Sequence, residues 1–162
     1  MNSVTCAIRR ATRADQAAIH TLVEGERLNP IDLDWRRFVV AESAMGVIGA
    51  VQLRQHEDDA RELGTLVVRK DARGRGIASR LIDTVLVSAA GRVLMITGER
   101  FAAHYARWGF RRIEPALAPA GVRRNYYFGK VAGWALWLAG SRKPRPIAIF
   151  DRRPVTRAQA AM

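Results

Sequence analysis

The sequence predicts an α/β protein: a single domain built on a mixed, mostly antiparallel sheet flanked by helices. Three observations carry that reading. The stretch from Arg61 to Gly91 runs from a short apolar strand through a basic, glycine-rich loop into a helix with one apolar face. Ahead of it, segments of strand composition follow one another at hairpin distances. Behind it, a second apolar run, Val93 to Thr97, must lie parallel to the first if the intervening helix is a crossover. With 162 residues, 49% of them hydrophobic and 26% charged, the chain reads as one globular domain over 1–162, neither disordered nor membrane-spanning.

Val4 to Arg10 mixes apolar and polar positions as a half-buried first strand does, and Thr12-Arg13-Ala14-Asp15 is a variant capping box opening a helix. Ile19, Leu22 and Val23 give that helix an inner face, and Gly25 or Leu28-Asn29-Pro30 ends it. Arg36 to Ala41 and Val47 to Arg54 are strands joined near Ala44-Met45-Gly46. The polar run His56-Glu57-Asp58-Asp59 is a loop tip, and Arg61 to Val68 returns as the third strand of a meander. Ile77, Leu81, Ile82, Val85, Leu86 and Ala89 then recur at helical spacing, with Arg80, Asp83 and Thr84 off the stripe. The helix is expected to run to Ala90, with Gly91 as its C′ residue.

Arg100 to Trp108 reads as a short helix with Phe101, Tyr105 and Trp108 on one side, stopped by Gly109, and Phe110 to Glu114 as a strand. Pro115 to Gly121 reads as a loop. An apolar insertion follows at about 122–140, before a last strand from Pro146 to Phe150 and a tail, 152–162, expected to fray. Its uninterrupted apolar run, Val131 to Ala139, falls short of the roughly 20 residues a bilayer takes. A helix packed on the domain, a homodimer contact and an interfacial membrane anchor flanked by Arg123, Arg124, Lys130, Arg142 and Lys143 all fit the segment.

The formal charge is +12. Arg-Arg pairs at 9–10, 36–37, 111–112, 123–124 and 152–153 are spread along the chain, so no local nucleic-acid-binding tail is formed. A phosphate-bearing ligand, an acidic partner or an arginine-rich codon usage each accounts for part of the excess. The amino terminus lacks a charged region followed by a long apolar run, so a cytoplasmic location is expected. Cys6 is the only cysteine, and His20, His56 and His104 are scattered, so neither a disulfide nor a metal site is expected.

Arg73-Gly74-Arg75-Gly76-Ile77-Ala78 is a device for holding an anion. Without Cβ atoms the backbone N–H groups can approach phosphate oxygens; the helix dipole adds partial positive charge and the arginines add full charges. A P-loop would end in Gly-Lys-Ser/Thr, which is absent. A dinucleotide fingerprint would have a third glycine where Ser79 stands and a tight turn where Arg69 to Arg73 intervene.

The segment resembles the acetyl-CoA motif of the GCN5-related N-acetyltransferases, Arg/Gln-x-x-Gly-x-Gly/Ala after an aliphatic strand end, with Arg73, Gly76 and Ala78 in those slots and Val68 ending the strand. Tyr105-Ala106-Arg107-Trp108-Gly109-Phe110 resembles the family's Tyr-x-x-x-Gly-Phe. The resemblance covers residues 4 to 115. It implies that the Leu63–Val68 and Val93–Thr97 strands splay and that Leu66, Val67 and Val68 pair with the pantetheine arm of acetyl-CoA. It also implies that N–H groups from Gly74 through Arg75, Gly76 and Ile77 to Ala78 and Ser79 bind the pyrophosphate. It further implies Tyr105 as the acid protonating the leaving thiolate, Glu62 as the base for the amine acceptor, and Glu24, Glu26 and the loop to Trp35 as acceptor contacts. An acetyl transfer to a primary amine is the activity implied. A non-catalytic acyl-CoA sensor, and a basic binder of nucleic acid or membrane surface, are the competing classes.

Overall fold

A computed structural model describes residues 5–26, 28, 32–56, 59–140 and 143–153. Seven strands and four α-helices alternate along them. The strands are β1 (Ala7–Arg10), β2 (Phe38–Ser43), β3 (Gly46–Gln55), β4 (Arg61–Val68), β5 (Val93–Gly98), β6 (Arg111–Ile113) and β7 (Ile147–Arg152). The helices are α1 (Gln16–Gly25), α2 (Ile77–Ser88), α3 (Ala102–Ala106) and α4 (Ala120–Leu138). Hydrogen-bonded neighbours run β1-β2-β3-β4 among the earlier strands and β5-β7-β6 among the later ones. The β1/β2, β2/β3, β5/β7 and β6/β7 pairings are antiparallel, so the sheet is mostly antiparallel and helix-flanked as expected. The chain divides into two compact units, residues 1–54 with 63–89, and 55–62 with 90–162.

In the first unit, α1 and α2 take opposite faces of the sheet. Ile19, Leu22 and Val23 of α1 pack with Phe38, Val40 and Ala50. Successive strand residues point to opposite faces, so Gly49 points away from that cluster. A Cβ there would lie 3.2 Å from Ile77 Cγ2 and Leu81 Cδ1. A hydrogen at this position leaves α2 room to sit down on β3, where a Cβ would press on both side chains. The predicted α2 stripe is buried in full, from Ile77 through Leu86 to Ala89.

In the second unit, Val122 and Tyr126 of α4 pack over Leu94 and Ile149. Asp151, at the end of β7, accepts two hydrogen bonds from the Arg92 guanidinium, Nε at 2.9 Å and Nη2 at 3.1 Å.

Several boundaries differ from expectation. β2 starts at Phe38, because Trp35–Arg37 close a 3-10 turn whose N-cap, Asp34, accepts from Arg36 N–H. Helix α2 ends at Ser88, and Gly91 is not its C′ residue: Ala89 already turns extended, and Gly91 supplies a left-handed φ of 87° in the link to β5. Pro115 to Gly121 is not all loop, for Pro115–Leu117 is a 3-10 turn and α4 begins at Ala120, giving the apolar helix bounds of 120–138. The last strand continues to Arg152, because Asp151 and Arg152 still pair with Leu94 and Val93, so Arg152 is not part of a frayed tail. Val4, Asn29, Pro30, Glu57, Asp58, Arg142 and residues 154–162, on which other expectations fell, lie outside the described residues.

The capping box is present in a modified role. Thr12 N–H donates to Asp15 Oδ2 at 2.7 Å, capping a 3-10 turn (Arg13–Asp15) that leads into α1. The same carboxylate accepts both Arg9 amino groups, at 2.8 and 2.9 Å, tying β1 to the entry of α1. Asp15 is buried, and the Arg9 hydrogen bonds hold its carboxyl well below the usual carboxylate range despite the opposing desolvation. A depressed folded-state pKa stabilises above the unfolded value of about 3.9 and is lost as pH falls through the folded value. Asp15→Asn is therefore expected to lower stability at pH 7 by about 2 kcal/mol and to show a shallower loss of stability between neutral pH and acid than the parent. Urea melts of both proteins across pH check this; parallel pH profiles would remove the ion pair from the account.

Candidate active site

The phosphate-type loop lies wholly in the first unit. After β4, Lys70–Ala72 form a 3-10 turn, Arg73 is extended, and Gly74 and Gly76 take φ of 75° and 73°. Both values lie in the left-handed region, where a Cβ collides with its own carbonyl. Nothing lies within 4 Å of where a Cβ would stand at either glycine, so what these positions require is the backbone turn and an open approach. Gly76 is the N-cap of α2 and has no side chain with which to cap it. The first-turn N–H groups of a helix have no intrahelical acceptors, and here they face the dipole's positive end into an exposed loop. Gly74, Arg75 and Gly76 are exposed, Ala78 and Ser79 half-buried, and Ile77 is buried as the first anchor of α2. An anion such as a pyrophosphate fits this donor set.

Arg73 does more than add charge. Its Nε donates to the Val68 carbonyl at 2.9 Å and its Nη2 to Glu26 Oε2 at 2.5 Å. The arginine thus staples the loop to the end of β4 and to the end of α1. Glu26, expected as an acceptor contact, holds Arg73 and lines a cleft of about 660 Å³ beside Thr21, Gly46, Lys70 and Asp71. Glu24 is exposed, and Trp35 is half-buried against the α1 core cluster.

Leu66, Val67 and Val68 follow directly on Thr65, whose φ of 47° is uncommon for a β-branched residue. Thr65 Oγ1 donates to Gln52 Oε1 at 3.1 Å, and Gln52, fully buried, donates through Nε2 to the Asp32 carbonyl at 2.6 Å. Side-chain hydrogen bonds therefore help hold the strained residue just ahead of the three strand residues assigned to the cofactor.

Glu62 and Tyr105 belong to the second unit. Glu62 is not an exposed strand carboxylate. It is 4% exposed, with its Oε2 at 2.9 Å from His56 Nε2 and accepting from Asn125 Nδ2 at 2.9 Å. The His56 ring in turn leans on Gly121, where a Cβ would fall 2.3 Å from Nδ1. His56, Gly121 and Asn125 had no signal in local periodicity, because the contact joins a loop, a strand and a helix far apart in sequence. A glycine in the first turn of a helix is the one clue that something presses on that turn.

Tyr105 stands in an aromatic group. Its ring meets His104 at 5.2 Å, Trp108 at 6.0 Å and Phe110 at 6.3 Å between centroids, and Arg107 lies over Trp108 at 3.8 Å. Burial pushes its phenol above the ordinary value of 10, against a smaller lowering by Arg107. The hydroxyl therefore keeps its proton at neutral pH.

Residues 34–112 match the model of the acetyltransferase (GNAT) domain. No curated protein sequence matches the chain. Among solved structures, Rv2747 from Mycobacterium tuberculosis, in complex with CoA, is similar at 25% identity and a TM-score of 0.69, over 92% of this chain and 99% of that one. N-acetylglutamate synthase from Neisseria gonorrhoeae, complexed with coenzyme A and N-acetyl-glutamate, superposes with a TM-score of 0.71 at 19% identity over 94% of this chain. This chain spans 36% of the length of that enzyme. YhbS of Escherichia coli, in complex with CoA, is similar at 24% identity with a TM-score of 0.56, over 68% of this chain and 71% of that one.

The glycine geometry yields a test. Gly76→Val forces a β-branched residue to φ near 73°, at a cost on the order of 1–2 kcal/mol, while meeting no neighbouring atom. Calorimetric titration is expected to show CoA affinity reduced at least about tenfold with a folded far-ultraviolet spectrum retained. Unaltered affinity would show that the loop holds no phosphate.

Proposed function

We infer that this chain, which belongs to the GNAT acetyltransferases, moves an acetyl group from acetyl-CoA to a primary amine by direct attack in a ternary complex. The observation that carries the reading is the loop: two left-handed glycines, the second the N-cap of α2, after a strand whose end is bound by Arg73. Acetyl-CoA supplies the activated thioester. The chain's part is to bind and to manage protons. Backbone groups of Leu66, Val67 and Val68 are proposed to bond the pantetheine amides as an added strand would, and the N–H groups from Gly74 to Ser79 to bind the pyrophosphate.

Attack needs an amine that has lost its proton, and Glu62 is the residue proposed to take it. The His56 and Asn125 contacts support that role by fixing the carboxylate, since a base contributes only when held within reach of its proton. Departure of the thiolate needs a proton, and Tyr105 is proposed to give it. Its support is the raised phenol, which holds the proton until it is wanted, and the ring contacts that fix its direction. Release of free CoA from acetyl-CoA in the presence of amino acids, polyamines and peptide N-termini tests the activity. Tight CoA binding with no release across such a panel would favour the sensor.

Tyr105→Phe keeps the ring and deletes the transferable proton. CoA affinity is expected to survive and kcat to fall about 100-fold if expulsion of the thiolate limits the rate. Steady-state CoA release beside calorimetry measures both; equal kcat values would reduce Tyr105 to packing. For Glu62→Gln the expected result is a comparable loss of kcat that shrinks as pH rises, because the free amine becomes abundant without a base. A pH-independent ratio of the two rates would point to a structural role for Glu62.

A further inference from the structure

The outward face of α4 is apolar where a surface helix is ordinarily polar. Its inward side carries Val122, Tyr126, Gly129 and Gly133, the two glycines lying against Ile147 and Pro144. Large residues stand on the other side. Tyr127, Val131, Trp134 and Leu138, spaced 4, 3 and 4 apart, are 52%, 68%, 47% and 79% exposed. Beyond Tyr126 the inward positions 129 and 133 are glycines and the large residues face out, the reverse of what folding alone would select.

The charge around this stripe has one sign. From Pro115 to Phe150 there is no Asp or Glu, whereas Arg123, Arg124, Lys130, Arg142, Lys143 and Arg145 all fall within it. Lys130 lies on the helix itself, with its ammonium 5.5 Å from the Tyr126 ring, and Arg123 and Arg124 lie in its second turn. An apolar stripe with tryptophan, set among cations, is the makeup of a helix lying in the plane of a membrane interface. The helix is not long and apolar enough to cross a membrane.

We propose that the outward face of α4 docks this protein on an anionic lipid bilayer surface, with Tyr127, Val131, Trp134 and Leu138 entering the headgroup layer and the flanking lysines and arginines pairing with lipid phosphates. Charge decides between this occupant and a second copy of the chain. Two such faces would bring their cations together with no carboxylate between Pro115 and Phe150 to meet them, whereas an anionic surface suits Arg123, Arg124, Lys130, Lys143 and Arg145 alike. The inference stands independently of the acetyl-transfer reading.

The test uses the full chain with vesicles of phosphatidylcholine alone and of phosphatidylcholine with about 30% phosphatidylglycerol, read by co-sedimentation and by the wavelength of tryptophan emission. Binding is expected to the anionic vesicles, with a blue shift, and to weaken as salt rises from about 0.1 to about 1 M. Trp134→Ser with Leu138→Ser changes exposed side chains only and is expected to weaken partitioning on the order of 100-fold. Lys143→Ala with Arg145→Ala, which leaves the stripe intact, is expected to weaken it about 30-fold. CoA affinity measured alongside reports that each variant is folded. Absence of partitioning into anionic vesicles would overturn the proposal. So would a wild-type dimer in sedimentation equilibrium that the Trp134 and Leu138 substitutions convert to monomer without any vesicle binding, which would assign the face to a second copy.

Discussion

A missing side chain at Gly49 sets the depth at which α2 meets the sheet. With Ile77 and Leu81 at 3.2 Å from where a Cβ would stand, and the Val67 carbonyl at 3.3 Å, a larger residue would press on the first turns of the helix. The first turn is the part that matters chemically, since Gly76 is its N-cap and its N–H groups are the proposed anion donors. Arg73 fastens the other side of the same loop to the Val68 carbonyl and to Glu26. Loop geometry is thus settled by packing at one end and by a charge-assisted pair at the other, and the two left-handed glycines span the distance between. The loop needs no side chain of its own to shape it, which leaves its backbone open to a ligand.

How much of this could be read from the chain depends on whether the cause was local. The α2 stripe repeats every three to four residues, and each of its members from Ile77 to Ala89 is buried, because amphipathic period is a property of the segment itself. The glycine pair was equally legible, since few backbones other than a left-handed turn call for Gly-x-Gly at a helix start. Ends of elements were less so. β2 begins late because Asp34 captures the Arg36 N–H into a turn, and the last strand runs on because Asp151 and Arg152 still pair with Leu94 and Val93 of β5. Neither partner is visible from the strand that it alters.

Glu62 shows the same limit at the candidate site. Its position before the loop marked it as a carboxylate of interest, but its burial and both its partners depend on tertiary contacts, with the loop residue His56 and the helix residue Asn125. Burying an acid costs several kcal/mol unless hydrogen bonds offset it, so a buried Glu62 implies such partners without saying which they are. Gly121 completes the group by omission: His56 can reach the carboxylate only because α4 presents no Cβ there. Tyr105 is the opposite case, with its ring contacts to His104 and Trp108 supplied by its own short helix and the residues just beyond it.

The same helix that supplies Asn125 carries the apolar outer face, and its two halves are held differently. Val122 and Tyr126 anchor the first half in the core cluster of the second unit, while the second half rests on contacts at Gly129 and Gly133 with little side-chain burial. Four large side chains left partly in water forgo part of the roughly 1.5–3 kcal/mol that full burial of each would contribute. Part of that is recovered whenever a surface covers them, less the cost of immobilising the protein there. The first half of the same helix holds the Glu62 carboxylate through Asn125 and leaves room for the His56 ring at Gly121, so one helix carries a buried polar contact at its start and an unburied apolar face at its end.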